Sequence, residues 1–243
     1  NELLESNMIE EVLDNDLTGN LVDSDNTDSG NINSDVISSS NLVGHWKMDE
    51  GNGSALRDYS GNGNHARIEN DSDVSWVSGI QGQALQTNGR IDRFSSVPHN
   101  SSLNITESIT MSAWIRPSGK SKKQILSKGD VYELLIFENG KVEFRINRDS
   151  NAKDYMIQSK KDYANDGRTW MHVAVTFDGR KSTIYINGEE DNSTTFNSTK
   201  INSNNAPVQI GAKYGDNRWT GALDDVRLYN EALSSSQIRG IYK

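Results

Sequence analysis

From Leu42 onward the chain alternates apolar and polar residues in short runs, separated by clusters of Gly, Asn, Asp and Ser. Runs of this length, two-residue period and spacing predict strands of an all-β sandwich. They include "SITMSAWIRP", "QILSKG", "YELLIFENGKVEFRIN", "WMHVAVTFDGRKSTIYINGEE", "APVQIGAKY" and "GALDDVRLYN". Asn139-Gly140 and Asp178-Gly179 each interrupt two alternating runs, and such pairs accept the positive φ angles of tight hairpin turns. Alternation also assigns faces: Val142, Phe144 and Ile146 share one side, and Glu143, Arg145 and Asn147 the other, which is expected to face solvent. Only "SSSQIRGIY" has a helical pattern, enough for one or two turns near the C-terminus.

The first 40 residues break this pattern. They hold ten of the 34 acids and no Lys or Arg, leaving 24 acids against all 25 bases in the remainder. The net charge of −9 therefore belongs to the N-terminal segment, and residues 41–243 are close to neutral. Rich in Asp, Asn, Ser and Gly and without aromatics, residues 1–40 read as a solvated linker or tail, with a short amphipathic helix admitted at "ELLESNMIEEVL". Asp23, Asp25 and Thr27 do not make an EF-hand loop, because Asp28 stands where the sharp turn needs Gly and no Glu closes the loop. Zero cysteines exclude disulfide scaffolds, thiolate zinc sites and cysteine nucleophiles. No apolar run is long enough for a transmembrane helix and no signal peptide opens the chain. Beginning at Asn1, the sequence is expected to be a mature or excised fragment of something longer.

"LVGHWKMDEGNGSALRDYSGNGNHARI", "GIQGQALQTNGR", "ITMSAWIRP", "WMHVAVTFDGRKSTIYINGEE" and "GALDDVRLYNEALSSSQIRGIY" follow one another in order over residues 42 to 243. Together they resemble the laminin-G-like branch of the concanavalin A-like lectin/glucanase superfamily. The resemblance implies an all-β jelly roll of two antiparallel sheets, with first and last strands paired and at most a short C-terminal helical turn. It also implies a module of a secreted bacterial enzyme that degrades polysaccharides, so a covalently linked catalytic domain, an extracellular location and a monomer are expected.

Pairing of the first and last strands would bring Asp224 beside Asp49, near the Gly51-Asn52-Gly53 loop. Two carboxylates with flexible-loop carbonyls are hard oxygen donors suited to Ca²⁺. Several modules of the resembled family hold a structural calcium at a similar place. Asp49 and Asp224, with Gly51 and Asn52, are the expected metal ligands. The competing reading is that Asp224 caps a turn and Asp225 pairs with Arg227 or a lysine.

Catalysis finds little support in the residues. Retaining glycosidases need two closely spaced carboxyl groups, and laminarinase-like relatives take them from Glu-x-Asp-x-x-Glu. Here Glu69-Asn70-Asp71 ends at Val74 and Glu189-Glu190-Asp191 at Thr194, so the final Glu is missing from both. The Gln-Ile-His strand of jelly-roll alginate lyases is matched only by Gln209-Ile210-Gly211, without the histidine. His172, alone within a strand, reads as packing.

Sugars are held by aromatic faces beside groups that read hydroxyls. Trp219, in the Gly/Asp/Asn-rich "KYGDNRWTG" with Tyr214, Asn217 and Arg218, is the expected stacking platform, and Trp76 a second loop candidate. Trp46, Trp114 and Trp170 lie in apolar strands and read as core. Arg116, Lys120, Lys122, Lys123 and Lys128 occur without an intervening acid, and Arg145 and Arg148 follow on the next hairpin. Converging on a sheet, Arg116, Lys128 and Arg145 would suit a sulfated or uronic polysaccharide; dispersed, they are only solvating charges. Nucleic acid does not fit a neutral body behind an acidic tail. The function expected is a noncatalytic carbohydrate-binding module, with a surface-adhesion domain, then a weak lyase or hydrolase, as alternatives.

Overall fold

The computed structural model describes residues 37–72, 74–90, 95–148, 155–214 and 216–243. The expected linker character of residues 1–40 falls almost wholly outside these. Sixteen strands are present among the described residues: β1 (Leu42–Trp46), β2 (Ala55–Leu56), β3 (Ala66–Ile68), β4 (Ser75–Ser78), β5 (Gln83–Asn88), β6 (Ser95–Val97), β7 (Ile109–Pro117) and β8 (Lys123–Lys128) make the first half. β9 (Tyr132–Ile136), β10 (Val142–Ile146), β11 (Tyr155–Gln158), β12 (Met171–Phe177), β13 (Lys181–Ile186), β14 (Glu189–Thr195), β15 (Val208–Ile210) and β16 (Thr220–Tyr229) make the second, and one helix, α1 (Ser235–Tyr242), follows.

The strands form two antiparallel sheets, ordered β14-β13-β12-β7-β16-β5-β4 and β11-β10-β9-β8-β15-β6-β3-β2, with β1 beside β16 in the first. This is the jelly roll expected. Inward residues such as Trp46, Met111, Ile115, Val173, Val175, Leu223 and Leu228 from one sheet meet Leu126, Tyr132, Leu134, Phe144 and Ile210 from the other in a continuous core. Both predicted hairpins form: Gly140 (φ 84°) turns β9 into β10, and Gly179 (φ 92°) turns β12 into β13. α1 begins with a capping box in which Ser234 and Gln237 satisfy each other's backbone donors. Its Ile238 and Ile241 cover Ala174, Tyr185 and Tyr229 on the outside of the first sheet.

β16 organises the first sheet. One edge pairs with β7 throughout, while the other pairs with β5 over Thr220–Leu223 and with β1 over Val226–Tyr229. At the changeover lies a bulge: Asp224 pairs with Trp114 and Arg227 with Ser112, so three steps on β16 match two on β7. Asp225, at φ 47°, takes up the extra residue, a conformation Asp tolerates better than most side chains. The adjacent acids of "LDDVR" thus sit on the outside of the sheet while Leu223 and Val226 both stay in the core.

The outward side of the second sheet is not solvated as the alternation suggested. Glu143 is fully buried, Asn147 is 4% exposed, and Gln124, Ser127 and Glu133 on the same face are also buried. Ser127 donates to Ala212 O and Glu133 holds Lys213, both residues following β15, whereas Asn147 is bonded to Lys200 and Asn202 before β15 and Glu143 is covered by Gln158 and Arg145.

Candidate functional site

Two concave regions gather the chemistry. The first, a cavity of about 340 Å³ outside the first sheet, is lined by His45 on β1, Lys47 and Asp49 after it, Ile80 and Gln81 from the β4–β5 turn, Trp114, Asp224, Asp225, Arg227 and the end of α1. Asp224 accepts a hydrogen bond from Ile80 N at 2.7 Å, and Asp49 accepts one from Gln83 N at 2.8 Å. One turn therefore bridges both carboxylates, and its glycines allow the close approach: a Cβ on Gly79 would overlap Asp224, and one on Gly82 would overlap Asp49. Burial raises Asp224 to about 7, with Asp225 and Asp49 adding repulsion and the Ile80 amide opposing. Gly51 and Asn52 do not line this cavity; Gly51 faces the Gln83 side chain and Asn52 is exposed. Before that loop the chain takes a positive φ at Met48 (60°), whose side chain is in the core.

Asp225 does pair with Arg227, at 2.8 Å, and also accepts from His45 Nε2 at 2.6 Å. Burial opposes its ionisation, but His45 and Arg227 outweigh this and leave its pKa lowered. Oxygen donors from Asp49 and Asp224, one deeply desolvated, fit Ca²⁺ in kind. Among the described residues no three His, Cys, Asp or Glu side chains are arranged to hold a metal. His172 packs against the Trp114 and Tyr242 rings, 5.3 and 5.9 Å between centroids, and burial holds it neutral down to about 4. It is a packed histidine, and Trp114, read as core, instead lies outside the sheet stacked on Tyr242.

The second region is an open cleft of about 570 Å³ over the second sheet, lined by Lys122, Asp130, Arg148, Lys213, Tyr214, Asp216 and Asn217. Its wall includes residues 213, 214, 216 and 217, and the described residues around them are braced at several points. Trp219 N donates to Gly211 O at the base, Lys213 and Asp216 exchange both backbone bonds, and Asn217 O accepts from Gln124 N on β8. The Lys213 ammonium dives to Glu133 at 2.7 Å and to Asp130. Trp219 is fully buried and contributes no face to a ligand, contrary to expectation. Alternation explains this: it immediately precedes β16 on the core side, so its indole anchors the loop from below. Tyr214, at φ 49°, stands at the tip with 61% of its surface exposed.

The other expected sugar residues disperse. Arg218 is half-buried, 3.9 Å from Asp216. Trp76 lies in edge strand β4, opposite Leu85 and packed against the core. Arg116 is on the first sheet, bonded to Gln86 and 4.9 Å above Trp170. Lys128 is buried, donates to Ala206 O at 2.6 Å, and is lowered to about 8 by burial. Arg145 is beside the cleft but engaged by Glu143. The residues that converge are Tyr214, Asn217, Lys122, Arg148 and Asp130; the last was not singled out in the sequence, though the positive-φ turn chemistry of "SKGDVY" marks its place.

The jelly roll thus carries an exposed aromatic over a polar cleft. Residues 87–239 match the family model described as the concanavalin A-like lectin/glucanases superfamily (Laminin_G_3), and the chain belongs to that family. It is 23% identical over 209 residues to Paraclostridial mosquitocidal protein 1 of Paraclostridium bifermentans, covering 77% of this chain and 16% of that protein. The solved binding domain of that toxin superposes with a TM-score of 0.69 at 21% identity, over 84% of this chain and 52% of that one. Domain 4 of AbnA, a GH43 extracellular arabinanase from Geobacillus stearothermophilus solved with arabinotriose, gives 0.63 at 21% identity, over 84% and 98%. The binding domain of botulinum neurotoxin DC in complex with rat synaptotagmin II gives 0.64 at 17% identity, over 84% and 51%. The chain thus spans a small part of the toxin it matches, about half of the toxin binding domains, and nearly all of the arabinanase domain.

Proposed function

We propose that this domain is a noncatalytic glycan-binding module whose site is the cleft over the second sheet. The carrying observation is Tyr214, 61% exposed beside a braced turn, with its hydroxyl end near Gly129. Its ring offers a face for sugar C–H groups, while Asn217, Asp130, Lys122 and Arg148 supply donors and acceptors for hydroxyls. Little ordering is left for the loop to undergo on binding, because Trp219, Lys213 and Asn217 already fix it. The nearly full-length match to an arabinanase domain solved with arabinotriose supports a carbohydrate ligand and an ancillary role outside the cell, tethering a polysaccharide-degrading enzyme. Calcium at Asp49 and Asp224 is the structural ion of this reading.

The toxin binding domains favour a second reading, a receptor-binding part of a surface-targeting protein, because one of them was solved with a protein partner. Affinity electrophoresis against neutral, uronic and sulfated polysaccharides, with product release assayed in each mixture, separates the possibilities. Retardation without released sugar, lost in Tyr214→Ala, is the expected result. No retardation by any glycan shifts the case to a protein partner, and sugar release would overturn the noncatalytic assignment.

A further inference from the structure

The charged groups of the cleft are not all held in close pairs. Lys213 is committed to Asp130 and Glu133, and Arg145 to Glu143. Asp216, which also lines the cleft, has a side chain 82% exposed and lies 3.9 Å from Arg218. Lys122 has no ion-pair partner among the described residues, only the Phe137 ring at 5.8 Å. Arg148, 39% exposed, is 3.9 Å from a Glu133 oxygen that Lys213 already holds at 2.7 Å. Two cations without a close ion pair therefore line a cleft in which Asp130 and Glu133 share the single Lys213 ammonium. Burial lowers the Lys122 pKa, and repulsion from Arg145 and Arg148 lowers it further, with Glu133 and Glu143 compensating in part. Arg145 and Arg148 thus lie close enough to Lys122 for each to weaken its hold on a proton, and an anion between them would relieve that repulsion.

Resting on the glycan-binding reading, we infer that the cleft selects an acidic sugar, its carboxylate or sulfate seated between Lys122 and Arg148 and its ring laid against Tyr214. A planar guanidinium takes either anion through two parallel hydrogen bonds, and an ammonium takes it as a point charge. Bulk electrostatics do not produce this preference, since the whole chain carries −9. The selectivity must come from these two side chains acting at short range.

Calorimetry of the full chain at low salt tests this with three oligosaccharides of equal length: a galacturonate, a sulfated galactan and a neutral arabinan. The acidic ligands are expected to bind more tightly than the neutral one. Lys122→Gln and Arg148→Gln are each expected to weaken the acidic ligands about tenfold, the size of one lost charged hydrogen bond, and to weaken arabinan less, because glutamine still donates to a hydroxyl. Whichever of uronate and sulfate binds more tightly identifies the natural anion. Arg239→Gln, on the helix covering the opposite sheet, removes the same charge and is expected to have no effect. Both cleft variants alter exposed or half-buried side chains, and an unchanged Tm certifies their folding.

If arabinan binds as well as the acidic ligands, or if Arg239→Gln weakens binding as much as the cleft variants, the inference fails. In that event a loss of binding in Tyr214→Ala leaves the glycan-binding reading standing. Absence of binding by all three ligands overturns both.

Discussion

Asp224→Asn is expected to stabilise the metal-free protein at alkaline pH and to abolish its response to calcium. Asp224 is 2% exposed, and its folded pKa of about 7 lies well above the unfolded value near 3.9. A raised folded pKa favours folding below the unfolded value and loses that advantage as pH rises. From about pH 4 to pH 7 the unfolded chain gives up this proton while the folded chain keeps it. Three pKa units correspond to on the order of 4 kcal/mol lost by pH 8, an upper figure because water penetration reduces it. Asparagine keeps an oxygen for the Ile80 amide and removes the charge. On the proposed site, bound calcium would offset the same loss in the parent protein: saturation at 100 times Kd adds about 2.7 kcal/mol. That corresponds to roughly 5–10 °C in Tm for a domain of this size.

The assay is thermal and urea unfolding of both proteins at pH 5 and pH 8, in chelator and in calcium. Comparing variant with parent at each pH removes the contribution of His172, whose lowered pKa has the opposite sign. In chelator, Asp224→Asn should gain on the parent between pH 5 and pH 8; in calcium, only the parent should rise. A variant that is less stable than the parent by the same amount at both pH values, with calcium without effect on either, refutes the reasoning.

His172 held neutral to about 4 gives the complementary limb: its contribution is present above pH 6.5 and falls as pH drops towards 4, by about 3 kcal/mol. His172→Phe should flatten that limb in acid unfolding curves. Trp219→Ala should cost about 3–5 kcal/mol in urea unfolding, by opening a cavity beneath the loop, whereas Tyr214→Ala should stay within about 0.5 kcal/mol of the parent. Gly221→Ala, at φ 120° with its Cβ directed into the Arg116 carbonyl, should lose at least about 2 kcal/mol, read as a lower urea midpoint. Asp225→Asn removes the carboxylate that joins His45 to Arg227 and should cost about 2–4 kcal/mol at neutral pH.

The two-residue alternation and the Asn-Gly and Asp-Gly pairs sufficed for the sandwich, because strand facing and hairpin position are local properties. The approach of Asp49 to Asp224 was also legible once the first and last strands were paired. The bridging turn was not, since nothing in "SGIQGQ" marks it as spanning two carboxylates until β4 and β5 are placed beside β16. Trp219 misled because a Gly/Asp/Asn-rich neighbourhood suggests exposure. Its depth is set by registration with β16, and the composition of the loop does not record that. The basic residues illustrate the same limit. Lys123 and Lys128 lie on β8 and Arg116 on β7 of the other sheet, so closeness along the chain did not become closeness in space. Lys122 and Arg148, 26 positions apart, did converge.

The most direct test of the central claim is an amide NMR titration of the isotope-labelled chain with the glycan that electrophoresis selects. Saturable shifts centred on Lys122, Asp130, Arg148, Tyr214 and Asn217, with the glycan recovered intact, are the predicted result. Shifts centred instead on Asp49, Trp114, Asp224 and the end of α1, or release of shorter sugars during the titration, would contradict the assignment of the cleft as a noncatalytic glycan site.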